Sequence, residues 1–212
     1  MQFLFSPDSK IMQALSRLCD LMLLNVLFLL TCIPIVTIGA ASTAMYTVAS
    51  RLGTDREEGV FKPYFRAFRA NFGQSTAIWL ILLLWGAASC VNGLIFYRQT
   101  GVLRYTVLLF VGLFVLALMI GAYAFPLVSR FQNNTRTTLK NALLLSVGYL
   151  PRSLIMTVLN VFPFALLLFH LYLFFQLGLL WLVIYFSAAA YLNSLLLRKV
   201  FAPYLPKEEE CR

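Results

Sequence analysis

The residues able to do chemistry are few in this chain of 212, and they do not gather. His170 is the single histidine, and the four cysteines, Cys19, Cys32, Cys90 and Cys211, show neither a CxxC step nor a histidine cluster beside them. A structural zinc site needs four such ligands at short spacing and a redox pair needs the CxxC step. No metal and no cofactor is therefore implied. The eight carboxylates are Asp8, Asp20, Asp55, Glu57, Glu58, Glu208, Glu209 and Glu210, and only Asp20 approaches an apolar run. The patterns GxxxxGK[ST], GxSxG and HExxH, which mark phosphate loops, nucleophile elbows and zinc proteases, do not occur. An enzyme is not expected. The polar groups that remain lie within the apolar runs, at Asn25, Asn92, Asn160 and Asn193, where an amide can donate and accept across packed helices.

The elements that position those amides follow from composition. Hydrophobic residues make up 61% of the chain and charged residues 12%, against roughly 25% charged in an ordinary soluble domain. Uncharged apolar runs recur along the whole length, so residues 1–212 read as one integral membrane domain. A helix of about 20 apolar residues spans a bilayer, and such runs lie at 18–34, 76–97, 103–128, 153–174 and 178–198. The segment 37–51 has too few uncharged residues for this; at about 1.5 Å per residue it reaches roughly 21 Å. The expected fold is all-α, a polytopic membrane helix bundle with six membrane-embedded helices, five being the alternative. A basic start, an apolar core from Leu21 to Val36 and the small residues GAASTA would also suit a secretory signal peptide. Met1 to Asp20 is long for its first region, however, and the apolar character continues past the cleavage position.

Charge decides between the two layouts. Lys and Arg favour the cytoplasmic side of short loops. If 37–51 returns across the membrane, all of the 17 Lys and Arg residues except Arg98 and Arg104 fall on one face. With five crossings, Lys10 and Arg17 move to the other face. The turn is therefore expected, with both termini cytoplasmic in a bacterial cell membrane. Pro34 removes a backbone donor and disfavours helix at Ile33, while Gly39, Ala40 and Ala44 let a returning helix approach a neighbour or a partner closely.

Basic amphipathic stretches precede the apolar runs. In FKPYFRAFRANF, residues Phe61, Phe65, Phe68 and Phe72 recur on one helical face, while Lys62, Arg66 and Arg69 lie away from it, with Asn71 beside them. This predicts a cytoplasmic interfacial helix drawn to anionic headgroups rather than to nucleic acid. Residues 139–150 repeat the pattern and 9–18 repeat it weakly, which suggests three helical hairpins, each introduced by such a helix. Pro63 and Pro151 fall where a first helical turn tolerates proline, and Pro126 and Pro163 predict kinks within spans.

The runs IPIVTIGAASTAMY at 33–46 and FRAFRANFGQSTAIW at 65–79 resemble the YesL family of small bacterial membrane proteins, a family long described as a domain of unknown function. The resemblance extends from FSPDSKIM at 5–12 through the last span and rests on Pro34, Val36, Thr37 and Gly39 together with Asn71 and Phe72. Ala40 stands where many members carry proline. Such proteins are typically encoded beside carbohydrate importers of the ATP-binding cassette type and glycan-degrading enzymes. The resemblance thus implies an accessory or assembly subunit packed against the permease subunits of such an importer. An independent small-solute carrier or channel, and a membrane-bound regulator of glycan uptake, are the alternatives. A permease itself is not expected, because KNALLLSVGYLPRSL at 140–154 lacks the glutamate and the spaced IxLP of a coupling loop.

Overall fold

A computed structural model of the chain describes residues 10–52 and 59–201. Arg56, the carboxylates Asp55, Glu57 and Glu58, and the terminal KEEECR with Cys211 lie outside the described residues. Among those described there is no strand, and five helices are long and apolar enough to cross a membrane, which establishes the all-α membrane bundle. In chain order the α-helices among the described residues are α1 (Lys10–Thr31), α2 (Ile38–Arg51), α3 (Phe61–Tyr97), α4 (Thr106–Arg130), α5 (Thr135–Gly148), α6 (Leu150–Phe169), α7 (Leu171–Gln176), α8 (Gly178–Leu180) and α9 (Phe186–Phe201), with a π-helical segment, Trp181–Tyr185, joining the last two; the spans lie on α1, α3, α4, α6 and α8–α9.

The short helix α2 is the centre of the bundle. Nine of its fourteen residues are buried, and it packs against α1, α3, α4 and α9. Its length of roughly 21 Å is less than the roughly 30 Å of hydrocarbon. It is therefore enclosed by the longer helices rather than standing as an equal sixth span. Irregular backbone at membrane depth needs partners within the protein, and the turn ahead of α2 has them. Thr37 donates its hydroxyl to the carbonyls of Pro34 (2.7 Å) and Thr31 (2.5 Å), and the Trp79 indole donates to the Ile35 carbonyl at 2.8 Å. Pro34 thus ends the first helical run as its chemistry requires, and a 3-10 turn, Ile35–Thr37, restarts it.

One expectation narrows here and another changes. The small residues Gly39, Ala40 and Ala44 were candidates for packing or for partner contact, and all three are buried within this chain. A methyl group on Gly39 would overlap the Ser75 carbonyl and come within 2.7 Å of Trp79 Cβ, so glycine is what lets α2 lie directly on the backbone of α3. Only Pro34, of that set, is exposed. The second change concerns 61–72, which is not a separate interfacial helix. It is the beginning of α3, a continuous helix of 37 residues, because Gly73 costs too little to break it. Residues 10–18 of the stretch at 9–18 likewise run on into the first span, Ser9 lying outside the described residues, whereas the one at 139–150 is divided, since α5 ends at Gly148 and α6 begins at Leu150 with Pro151 in its first turn.

The helix directions follow from side-chain contacts. Helices α3 and α4 form an antiparallel hairpin closed by Gly101, whose φ of 73° suits glycine, and held by Phe96 against Phe110 and Trp79 against Phe125. Helix α2 runs antiparallel to α3, with Ile35 opposite Trp79 and Thr43 opposite Ser75. It runs parallel to α9, with Tyr46 at Asn193 and Ser50 at Arg198. These pairings bring Arg51, Arg66, Arg69, Arg130 and Arg198 to one end of the bundle and leave Arg98 and Arg104 on the α3–α4 connection at the other.

Candidate functional site

Of the four intramembrane asparagines, Asn25 makes the most complete set of bonds. A π-helical turn lengthens the hydrogen-bond step from four residues to five, so where it joins ordinary helix some carbonyls and amides lose their partners. Asn25, fully buried on α1, supplies both kinds of replacement. Its amide nitrogen donates to the carbonyls of Trp181 (2.9 Å) and Leu182 (2.7 Å), and its oxygen accepts from the Ser187 backbone amide at 3.1 Å. One side chain thereby closes the irregular segment before α9. Aromatic packing surrounds it: Trp181 is buried against Phe162, Phe174 and Tyr185, and its indole donates to the Phe174 carbonyl.

Asn160 and Asn193 form a second junction with Tyr46. The buried Asn193 donates to the Tyr46 hydroxyl (3.1 Å) and to Asn160 Oδ1 (3.0 Å), which ties α9 to α2 and α6. Asn193 Oδ1 itself has no partner, and neither does the buried Thr157 Oγ1, which lies one turn before Asn160 on α6. Asn92 differs from the other three. It bonds only to the Ala88 carbonyl of its own helix and joins nothing. The expected cross-helix role thus fits Asn25, Asn160 and Asn193 but not Asn92.

Two further hydroxyl links were not legible as such in the sequence. Ser153, fully buried, donates to the carbonyls of Ser146 and Tyr149 and lies 3.2 Å from the Tyr123 hydroxyl, fastening the α5–α6 junction to α4. Tyr64, also fully buried, bonds to Thr31 at the end of α1. The Phe periodicity of the N-terminal part of α3 hid that tyrosine. Its buried face is centred on Tyr64 and Ala67, flanked by the half-buried Phe65 and Phe68, while Phe61 is 57% and Phe72 41% exposed.

The opposite face of the same turns is basic. Phe61, Lys62, Phe65, Arg66 and Arg69 line a shallow concavity, with the Phe61 and Phe65 rings 4.9 Å apart. Asn71, expected beside these cations, instead donates to the Ala67 carbonyl one turn back. His170 is exposed between α6 and α7, and Cys19, Cys32 and Cys90 are free thiols. No group of three or more histidine, cysteine or carboxylate side chains gathers among the described residues.

Comparison with known proteins bears on the part of the chain that carries this machinery. Residues 21–93 match the family described as "Protein of unknown function, DUF624". That stretch contains Asn25, the turn at Pro34, all of α2 and most of α3. A relative, "Uncharacterized protein YteU" of Bacillus subtilis (strain 168), is 32% identical over 111 residues, which cover 51% of this chain and 49% of the relative. The chain thus matches about half the length of that curated relative. No solved structure matches. Over residues 21–93 the chain is thus similar to the DUF624 family, in agreement with the resemblance read from the sequence for that stretch, and its five long apolar helices make it a multi-pass membrane protein.

Proposed function

We propose that this protein is a non-catalytic accessory or assembly subunit of a bacterial ABC-type carbohydrate importer, packing laterally against its permease subunits in the cytoplasmic membrane with both termini inside. The observation that carries this reading is the α3–α4 hairpin beyond the core. From Cys90 through Leu116 no residue is buried, and Leu84, Leu94, Leu108 and Leu109 are all at least 60% exposed. The far half of the hairpin is held chiefly by its own two helices and offers long apolar flanks to another membrane helix. Association there would rest on van der Waals packing rather than on a hydrophobic drive, since lipid tails are as apolar as leucine. The interior supports the same reading, because Asn25, Asn160 and Asn193 are committed to holding helices together.

The test is co-purification from native membranes with a tag on this chain. Permease subunits should be recovered, and substituting Leu84→Trp with Leu108→Trp should reduce their recovery while leaving the thermal stability of this chain unchanged. An importer equally stable and active after deletion of this chain sinks the reading.

One observation favours a second reading, an independent small-solute carrier. The unpartnered Asn193 Oδ1 and Thr157 Oγ1 are polar acceptors within the bundle, and polar groups at membrane depth often mark a pathway. Purified protein in liposomes should then move solute without partners, and inert vesicles would exclude it.

A further inference from the structure

We infer that the concave face formed by Phe61, Lys62, Phe65, Arg66 and Arg69 binds the phosphate of an anionic phospholipid headgroup. This goes beyond the importer reading and does not depend on it. Lys62, Arg66 and Arg69 follow one another at i, i+4 and i+7 on α3, so their head groups converge along one stripe. Guanidinium groups present forked donors that match phosphate oxygens, and the ammonium adds a point charge. Helix α3 contains no Asp or Glu from Phe61 to Tyr97, and the whole chain carries a net +9. Helix α3 itself therefore adds no carboxylate to this cationic face.

Three observations favour a lipid over a soluble phosphate. First, Gln74 on α3 donates to the carbonyl of Asn133, just beyond the end of α4. The turns from Phe61 to Gly73 thus extend past the level at which α4 ends, at the basic end of the bundle. Second, Phe61 is 57% exposed beside the cations, and an apolar ring next to basic residues suits the boundary between headgroup and acyl chain. Third, the back of the same turns is fixed by the fully buried Tyr64, bonded to Thr31 and stacked on Phe68. A fixed backbone loses less freedom when a ligand is held.

Full-length protein in a neutral detergent, titrated with phosphatidylglycerol, phosphatidylcholine or inorganic phosphate and followed by native mass spectrometry, tests this. Wild type should prefer phosphatidylglycerol to phosphatidylcholine by about tenfold, because each Lys or Arg near an anionic surface contributes several-fold. Lys62→Gln/Arg66→Gln/Arg69→Gln should abolish the preference, and Arg98→Gln/Arg104→Gln, at the opposite end, should keep it. The charge-preserving Lys62→Arg/Arg66→Lys/Arg69→Lys should also keep it; loss there as well would mean that the triple variant acted through the fold and would overturn the proposal. Equal uptake of the two lipids overturns it too. Saturation by inorganic phosphate with displacement of phosphatidylglycerol would assign the face to a soluble phosphate instead and reject the lipid.

Discussion

The two ends of this molecule are built on opposite principles. Around α2, small residues and side-chain amides bring several helices into backbone contact, and nearly every polar group there is bonded across helices or back to its own. In the far half of the α3–α4 hairpin, two helices lean on each other through Phe96, Phe110, Phe114 and glycines, and the rest of their surface is open. Lipid supplies no hydrophobic drive for helix association, so close packing must come from shape and from hydrogen bonds. The core end has both. The hairpin has shape alone, and its outer flanks stay open.

The contrast can be broken first at Asn25. Asn25→Leu would strand two carbonyls and one amide of the π segment, each of which costs about 1–3 kcal/mol when buried without a partner. A loss of roughly 3–5 kcal/mol is expected in reversible unfolding from detergent into denaturant. A loss below about 1 kcal/mol would mean that the π segment relaxes to ordinary helix and does not need its clamp. Next comes Gly39→Ala, which forces α2 off the backbone of α3 and should cost roughly 1–3 kcal/mol by overpacking. Its readout is the same unfolding curve, and an unchanged midpoint would refute the close approach. Tyr46→Phe removes one acceptor from Asn193 and should cost about 0.6 kcal/mol, the average for a cross-helix bond in a membrane protein. The smallest effect belongs to the hairpin. Leu94→Ala and Leu109→Ala, both in exposed positions, should each change the stability of the isolated chain by less than about 0.5 kcal/mol. A larger loss would show that these flanks already pack on something within one copy.

The sequence was most informative where local composition alone decides. The apolar runs at 76–97, 103–128 and 178–198 lie on helical backbone, the run at 153–174 is broken at His170 where α6 ends, and the break at Pro34 falls where a missing donor makes it fall. Along 61–72 the periodicity predicts a separate interfacial helix, whereas these residues are helical as the first turns of α3 and press Tyr64 and Ala67 against the rest of the chain. Phenylalanine at regular spacing is equally at home against lipid, and only the fully buried Tyr64 shows which face meets protein. The asparagines were legible as helix-joining groups, yet not their partners. Asn25 bonds residues more than 150 positions away, at a π segment that no local pattern announces. Likewise, Gly39, Ala40 and Ala44 announce close packing without saying against what. The fold answers that question by burying all three within the chain.

Residue chemistry by itself determined that this is a helical membrane protein, basic at its helix ends and poor in groups able to react, because hydropathy and charge act on each segment independently of the others. Tertiary structure alone decided which amide clamps which helix, that a helix too short to span is enclosed at the centre, and which faces remain open, because those outcomes depend on contacts between segments far apart in the chain.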